Sequence, residues 1–96
     1  MFSVSIHKGP NGSVLAVCDE ELLGRTFSEG KLRLAVSEAF YGGDMVEEEI
    51  LLEYLNRARS INLVGERAIG IAIREGHVDS SCVLTIDGVM HAMVQR

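Results

Sequence analysis

Hydrophobic and polar residues alternate from the second position onward, with Phe2, Val4 and Ile6 on one side of an extended chain and Ser3, Ser5 and His7 on the other. A period of two predicts a half-buried strand. Gly9-Pro10-Asn11-Gly12 then supplies residues suited to a tight turn, so Ser13 to Cys18 is expected to return antiparallel as a second, more continuously apolar strand. Asp19 is placed to cap a short helical turn carrying Leu22 and Leu23, which Gly24 ends in the left-handed conformation. Alternation resumes from Lys31 to Val36, a third strand with Leu32, Leu34 and Val36 inward.

The period then changes. Asp44 followed three residues later by Glu47 is a capping-box pattern, and Glu48 and Glu49 suit the positive end of a helix. Val46, Ile50, Leu51, Tyr54, Leu55 and Ala58 recur as its buried stripe, while Arg57 and Arg59 complement its C-terminal end. The run from Ala68 to Ile73 could be a buried strand or a buried helix. Helical spacing of Val64, Ala68, Ile71 and Ala72, with Asn62 as cap and Gly76-His77 as stop, favours a helix over Gly65 to Glu75. Cys82 to Ile86 and Val89 to Val94 flank Asp87-Gly88, a strong hairpin signal. The expected fold is α/β of the α+β type: about five mostly antiparallel strands with two main helices on one face, in a strand order the pattern does not specify.

Composition narrows the class. A chain of 96 residues, 47% hydrophobic and 24% charged, suits one domain over residues 1–96 with a self-sufficient core. No apolar run approaches the roughly 20 residues of a membrane helix, and Met1 leads straight into a strand pattern, so a cytoplasmic protein without a signal peptide or membrane contact is expected. The net charge of −5 argues against a protein that coats phosphate backbones, though it leaves room for a local basic patch. Cys18 and Cys82 sit singly beside apolar β-formers, which suggests reduced, buried thiols and neither a metal nor a cofactor.

Candidate chemistry is sparse. Asp19, Glu20 and Glu21 beside Cys18 would suppress a thiolate, and adjacent acids rarely converge on one cation, so a buried thiol and a solvated acidic turn are the readings. Phe40 and Tyr41, before Gly42-Gly43, suit a packed turn or a secondary partner surface. A two-residue turn at Asp87-Gly88 sets Leu84 opposite His91, on one face with Cys82, Ile86 and Met93; this makes His91 a core or rim residue or, alternatively, the acid or base of a small hydrolase-like enzyme using nearby acids. His7 is expected to be exposed. The least bland group joins two predicted helices: Arg57, Arg59, Asn62, Gly65, Glu66 and Arg67, with Ser60 among them. Arginines can grip carboxylate or phosphate in a fork, Gly65 permits close approach, and Asn62 can cap a helix or address a ligand. This set is the expected partner-binding surface, against the plainer reading that its members pair locally.

Four strings, Ala16-Val17-Cys18-Asp19-Glu20-Glu21-Leu22-Leu23-Gly24, Phe40-Tyr41-Gly42-Gly43, Asn62-Leu63-Val64-Gly65-Glu66 and Gly88-Val89-Met90-His91-Ala92, resemble in order and spacing a small archaeal family, domain of unknown function 424. The resemblance implies a stand-alone cytosolic α/β domain without an agreed activity and with a role near translation, its partner a protein or ribonucleoprotein of that machinery. It carries over no catalytic residue. The expected function is therefore a binding or adaptor module, with the oligomeric state open.

Overall fold

The computed structural model describes residues 1–96. Six strands form one sheet: β1 (Phe2–Gly9), β2 (Gly12–Asp19), β5 (Asp44–Val46), β6 (Ser60–Val64), β7 (Leu84–Ile86) and β8 (Val89–Gln95), in the order β5-β1-β2-β6-β8-β7. Every pairing is antiparallel except β2 with β6. A separate two-stranded sheet joins β3 (Thr26–Glu29) to β4 (Leu32–Ala35). Three helices complete the chain, α1 (Glu38–Tyr41), α2 (Glu48–Arg57) and α3 (Glu66–Arg74), and none is long and apolar enough to cross a membrane.

The β1–β2 hairpin follows the alternation that announced it, closing on Gly9 opposite Gly12 around Pro10-Asn11. The Asp87-Gly88 turn does the same for β7 and β8, with Asp87 at φ 50° and Gly88 at φ 78°, and Leu84 lies opposite His91 as the register required. Helices α2 and α3 cover one face of the large sheet, where Phe2, Val4, Leu15, Val17, Ile61 and Leu63 meet Leu51, Leu55, Ile69 and Ala72. The opposite face carries a smaller core. There Ala16, Cys18 and Val64 pack with Tyr41 from α1 and with Phe27 and Leu34 from the β3–β4 hairpin. Two-sided covering explains why β2 is apolar nearly throughout.

Several boundaries differ from expectation. Asp44 caps no helix; it pairs with Val4 in β5, and α2 begins at Glu48 behind Glu47, which makes no side-chain cap bond. Extending the sheet over Phe2 and Val4 outweighs the local capping pattern. Asn62 lies inside β6, so the expected inter-helix loop is a central strand whose two sides are paired. Asp19 does not hold the short turn after β2: its carboxylate crosses to α3 and accepts from the N–H groups of Arg67 at 3.0 Å and Ala68 at 2.8 Å. Ser3, expected outside, is fully buried, donating to the Tyr41 carbonyl at 2.7 Å and accepting from the Gly43 N–H at 3.1 Å. His7 is half-buried against Phe40. Cys82 is exposed; Cys18 is buried, and both are unbridged.

Candidate functional site

On the helix-covered face, α2 reaches over β5 and β1 but leaves the tip of the β1–β2 hairpin bare. Positions 50, 53, 54 and 57 recur at helical spacing along the flank of α2 that faces this gap, and with Ile6 and Lys8 of β1 and Ser13 and Leu15 of β2 they bound a groove of about 610 Å³. Its far wall is Ala58 and Arg59. Ile6 and Ile50 were placed in buried stripes by sequence pattern, yet they are 53% and 44% exposed, because no element of the chain lies over them.

The charge around this apolar floor is one-sided. Lys8, Arg57 and Arg59 line the groove, Glu53 is the one carboxylate among the lining residues, and none of the three cations takes part in any ion pair of the chain. An arginine near the C-terminal end of a helix often serves its last carbonyls. Here that task falls to Arg96, whose guanidinium donates to the carbonyls of Leu55 and Ala58, and Arg57 and Arg59 are left to face solvent.

The other residues expected at this surface go elsewhere. Strand β6 separates its two ends by about 3.3 Å per residue, so Arg59 and Gly65 lie at opposite ends of this central strand. At the far end of β6 Arg67 is engaged: its guanidinium grips Glu21 at 2.6 and 3.3 Å, donates to the Met1 carbonyl at 3.1 Å and lies over the Phe2 ring. The hydrogen bond from Arg67 holds the Glu21 carboxyl below its ordinary pKa. Gly65 lies against the Asp19 carboxylate, and Glu66 is exposed in the first turn of α3. The three neighbouring acids are all spoken for: Asp19 holds the start of α3, Glu20 meets the N-terminal ammonium, and Glu21 pairs with Arg67, whose guanidinium also lies 3.9 Å from Asp19.

Asn62 faces the opposite side of the sheet. Its Oδ1 accepts from the Tyr41 hydroxyl at 2.7 Å and from His91 Nε2 at 3.0 Å, tying α1, β6 and β8 together. An amide oxygen only accepts, so Nε2 carries the imidazole proton. Burial lowers the His91 pKa, which keeps the ring neutral near pH 7, and its bonded partner is an amide and not an acid. Beneath lies Cys18, whose thiol is pushed up to about 11 by burial and by the charges of Asp19 and Glu21. Burial likewise lifts Tyr41 to about 12. These groups form a positioned, uncharged network; a thiolate, which nucleophilic chemistry would need, is disfavoured there.

Lys8 was missed as a member of the groove. The alternation of β1 puts it on the same side as Ile6, but only the placement of α2 and the parallel docking of β6 beside β2 brings it to Arg57 and Arg59.

Comparison with known proteins agrees with this fold. No curated protein matches the chain. A crystal structure of an uncharacterized conserved protein from Methanopyrus kandleri is similar at 26% sequence identity, with a TM-score of 0.81 over 99% of this chain and 93% of that one. The model of the family described as protein of unknown function (DUF424) matches residues 6–96, nearly the whole domain, and on that match the chain belongs to the DUF424 family.

Proposed function

We propose that the domain is a binding module that holds an acidic, partly aliphatic segment of a protein partner in the groove of Lys8, Arg57 and Arg59. The observation carrying this reading is the collection of three cations without carboxylate partners around exposed Ile6 and Ile50, in a chain whose net charge is −5. Unpaired charge of one sign beside exposed aliphatic surface favours a ligand that brings the opposite sign and its own apolar side chains. RNA fits less well. Its bases stack on aromatic faces, whereas the groove offers aliphatic side chains and one half-buried ring, Tyr54, and the rest of the molecule repels a polyanion. The catalytic alternative around His91 is supported less, because the partner of its ring is the Asn62 amide. A partner among the proteins of the translation machinery, met in the cytoplasm, belongs to the same proposal and rests on the family resemblance.

The test is selection of a random twelve-residue peptide library on the immobilised domain, followed by fluorescence anisotropy. Recovered peptides should combine Asp or Glu with aliphatic residues, and Arg57→Glu with Arg59→Glu should weaken them at least tenfold. Each lost charge contact is expected to cost about 1–2 kcal/mol. Enrichment of basic peptides, or binding indifferent to both substitutions, would refute the reading. Tight binding of single-stranded RNA with a steep log–log salt slope would replace the protein partner by a nucleic acid.

A further inference from the structure

Resting on that reading, we infer that the partner segment enters as an extended strand added to the free outer edge of β1 at Ile6 and Lys8. Strand β5 pairs with β1 only over Phe2, Ser3 and Val4, where Val4 meets Asp44. The chain before β5 leaves the edge at once, since Gly43 packs so closely on the Val4 carbonyl that a Cβ would overlap it. From Ser5 to Gly9 the outer side of β1 has no partner strand.

The direction of the unpaired groups follows from the ladder. Met1 accepts from the Glu20 N–H, and Gly9 closes the hairpin opposite Gly12, so odd-numbered residues of β1 turn their backbone groups toward β2. Even-numbered residues turn theirs outward. Phe2 and Val4 spend them on β5, while no backbone bond beyond the sheet ladders involves Ile6 or Lys8. An exposed edge of this kind is a template for strand addition, in which main-chain bonds supply affinity and alternate side chains supply specificity.

Side-chain alternation joins this edge to the groove. Cross-strand neighbours share a face, so the residue opposite Ile6 would send its side chain toward Ile50 and Tyr54, and the residue opposite Lys8 would lie beside that lysine at the mouth of the groove. The preferred segment therefore has an aliphatic residue opposite Ile6 and an acid opposite Lys8. At the other end of the edge Asp44 opposes a further acid. On the reverse face, intervening side chains of the segment would meet Phe40, which stacks on His7 with ring centres 4.7 Å apart.

The experiment uses the full chain and a terminally blocked nine-residue peptide whose odd-numbered positions alternate valine and glutamate with threonine between them, two versions N-methylated on every second amide in opposite phase, and a hydrocarbon-stapled helical peptide of otherwise the same composition. Binding is read by anisotropy, and exchange of the Ile6 and Lys8 amides by heteronuclear NMR. The extended peptide should bind and slow exchange at both amides at least tenfold, and one methylation phase should weaken it at least tenfold while the other is tolerated. Unchanged exchange at Ile6 and Lys8 in the complex, equal tolerance of both phases, or tighter binding of the helical peptide would overturn strand addition and leave the groove reading standing. Failure of all the peptides to bind would overturn both.

Discussion

Replacing Gly65 by alanine tests how the junction between β6 and α3 is built. Gly65 sits at φ 115° and ψ 143°, between the end of β6 and the first turn of α3. A side chain in such a conformation costs about 1–3 kcal/mol by itself. The added Cβ would also overlap the Asp19 carboxylate, lying 2.7 Å from Oδ1, and the neighbour cannot yield freely because Asp19 is 3% exposed and holds two N–H groups of α3. Displacing it forfeits a helix cap, a further loss of about 1–2 kcal/mol. Together these give about 2–5 kcal/mol, a large share of the roughly 5–15 kcal/mol that stabilises a domain. Urea denaturation followed by circular dichroism would measure this as a lower midpoint with little change in slope. A cycle with Asp19→Ala isolates the collision: once the carboxylate is gone, the second substitution should cost at least about 1 kcal/mol less than it does alone. A Gly65→Ala protein within about 0.5 kcal/mol of the parent, or additivity of the two changes, would refute this account.

Three other outcomes are expected. In the native state Ellman's reagent should modify Cys82 alone, and both thiols after unfolding without reductant, because Cys18 is buried with a thiol pKa near 11; rapid native reaction of Cys18 would contradict the packing described. Acid should destabilise the fold through His91, whose pKa is lowered by burial from the ordinary 6.5. The unfolded chain then binds the proton more readily, so this contribution is complete above pH 6.5 and is lost as the pH falls below it, by at most about 1.4 kcal/mol per pH unit. His91→Gln should flatten the stability profile between pH 6.5 and 5, and an unaltered slope would show that the ring is not desolvated. Gly88→Val should cost more than about 1 kcal/mol in equilibrium denaturation, wholly from the backbone, since a Cβ there meets no atom within 4 Å; a variant as stable as the parent would undo the hairpin register.

What could be read from the chain alone was local. Alternation in β1, the two-residue turns at Pro10-Asn11 and Asp87-Gly88, the helical spacing of α2 and α3 and the stop at Gly76 depend on neighbours a few residues away, so pattern and turn chemistry determine them. The α+β class followed from their sum. Arg57 and Arg59 also stood out, because arginines beside a glycine and an asparagine can grip an anionic partner as well as close a helix.

The remainder belongs to the tertiary structure. Residues 44–46 carry a capping pattern but become a strand, since covering the edge of β1 buries more than a cap secures. Asp19 finds the helix it caps 48 residues along the chain, and Asn62 finds Tyr41 and His91 across three elements. Neither distance has a local signature. The same holds for the groove: Lys8 and Arg59 are brought together by the order of strands β1, β2 and β6, and Ile6 and Ile50 look like core positions until the helices leave them uncovered. Periodicity tells which side of an element is apolar; only the packing of elements from distant parts of the chain decides which apolar positions are covered and which are left for a partner.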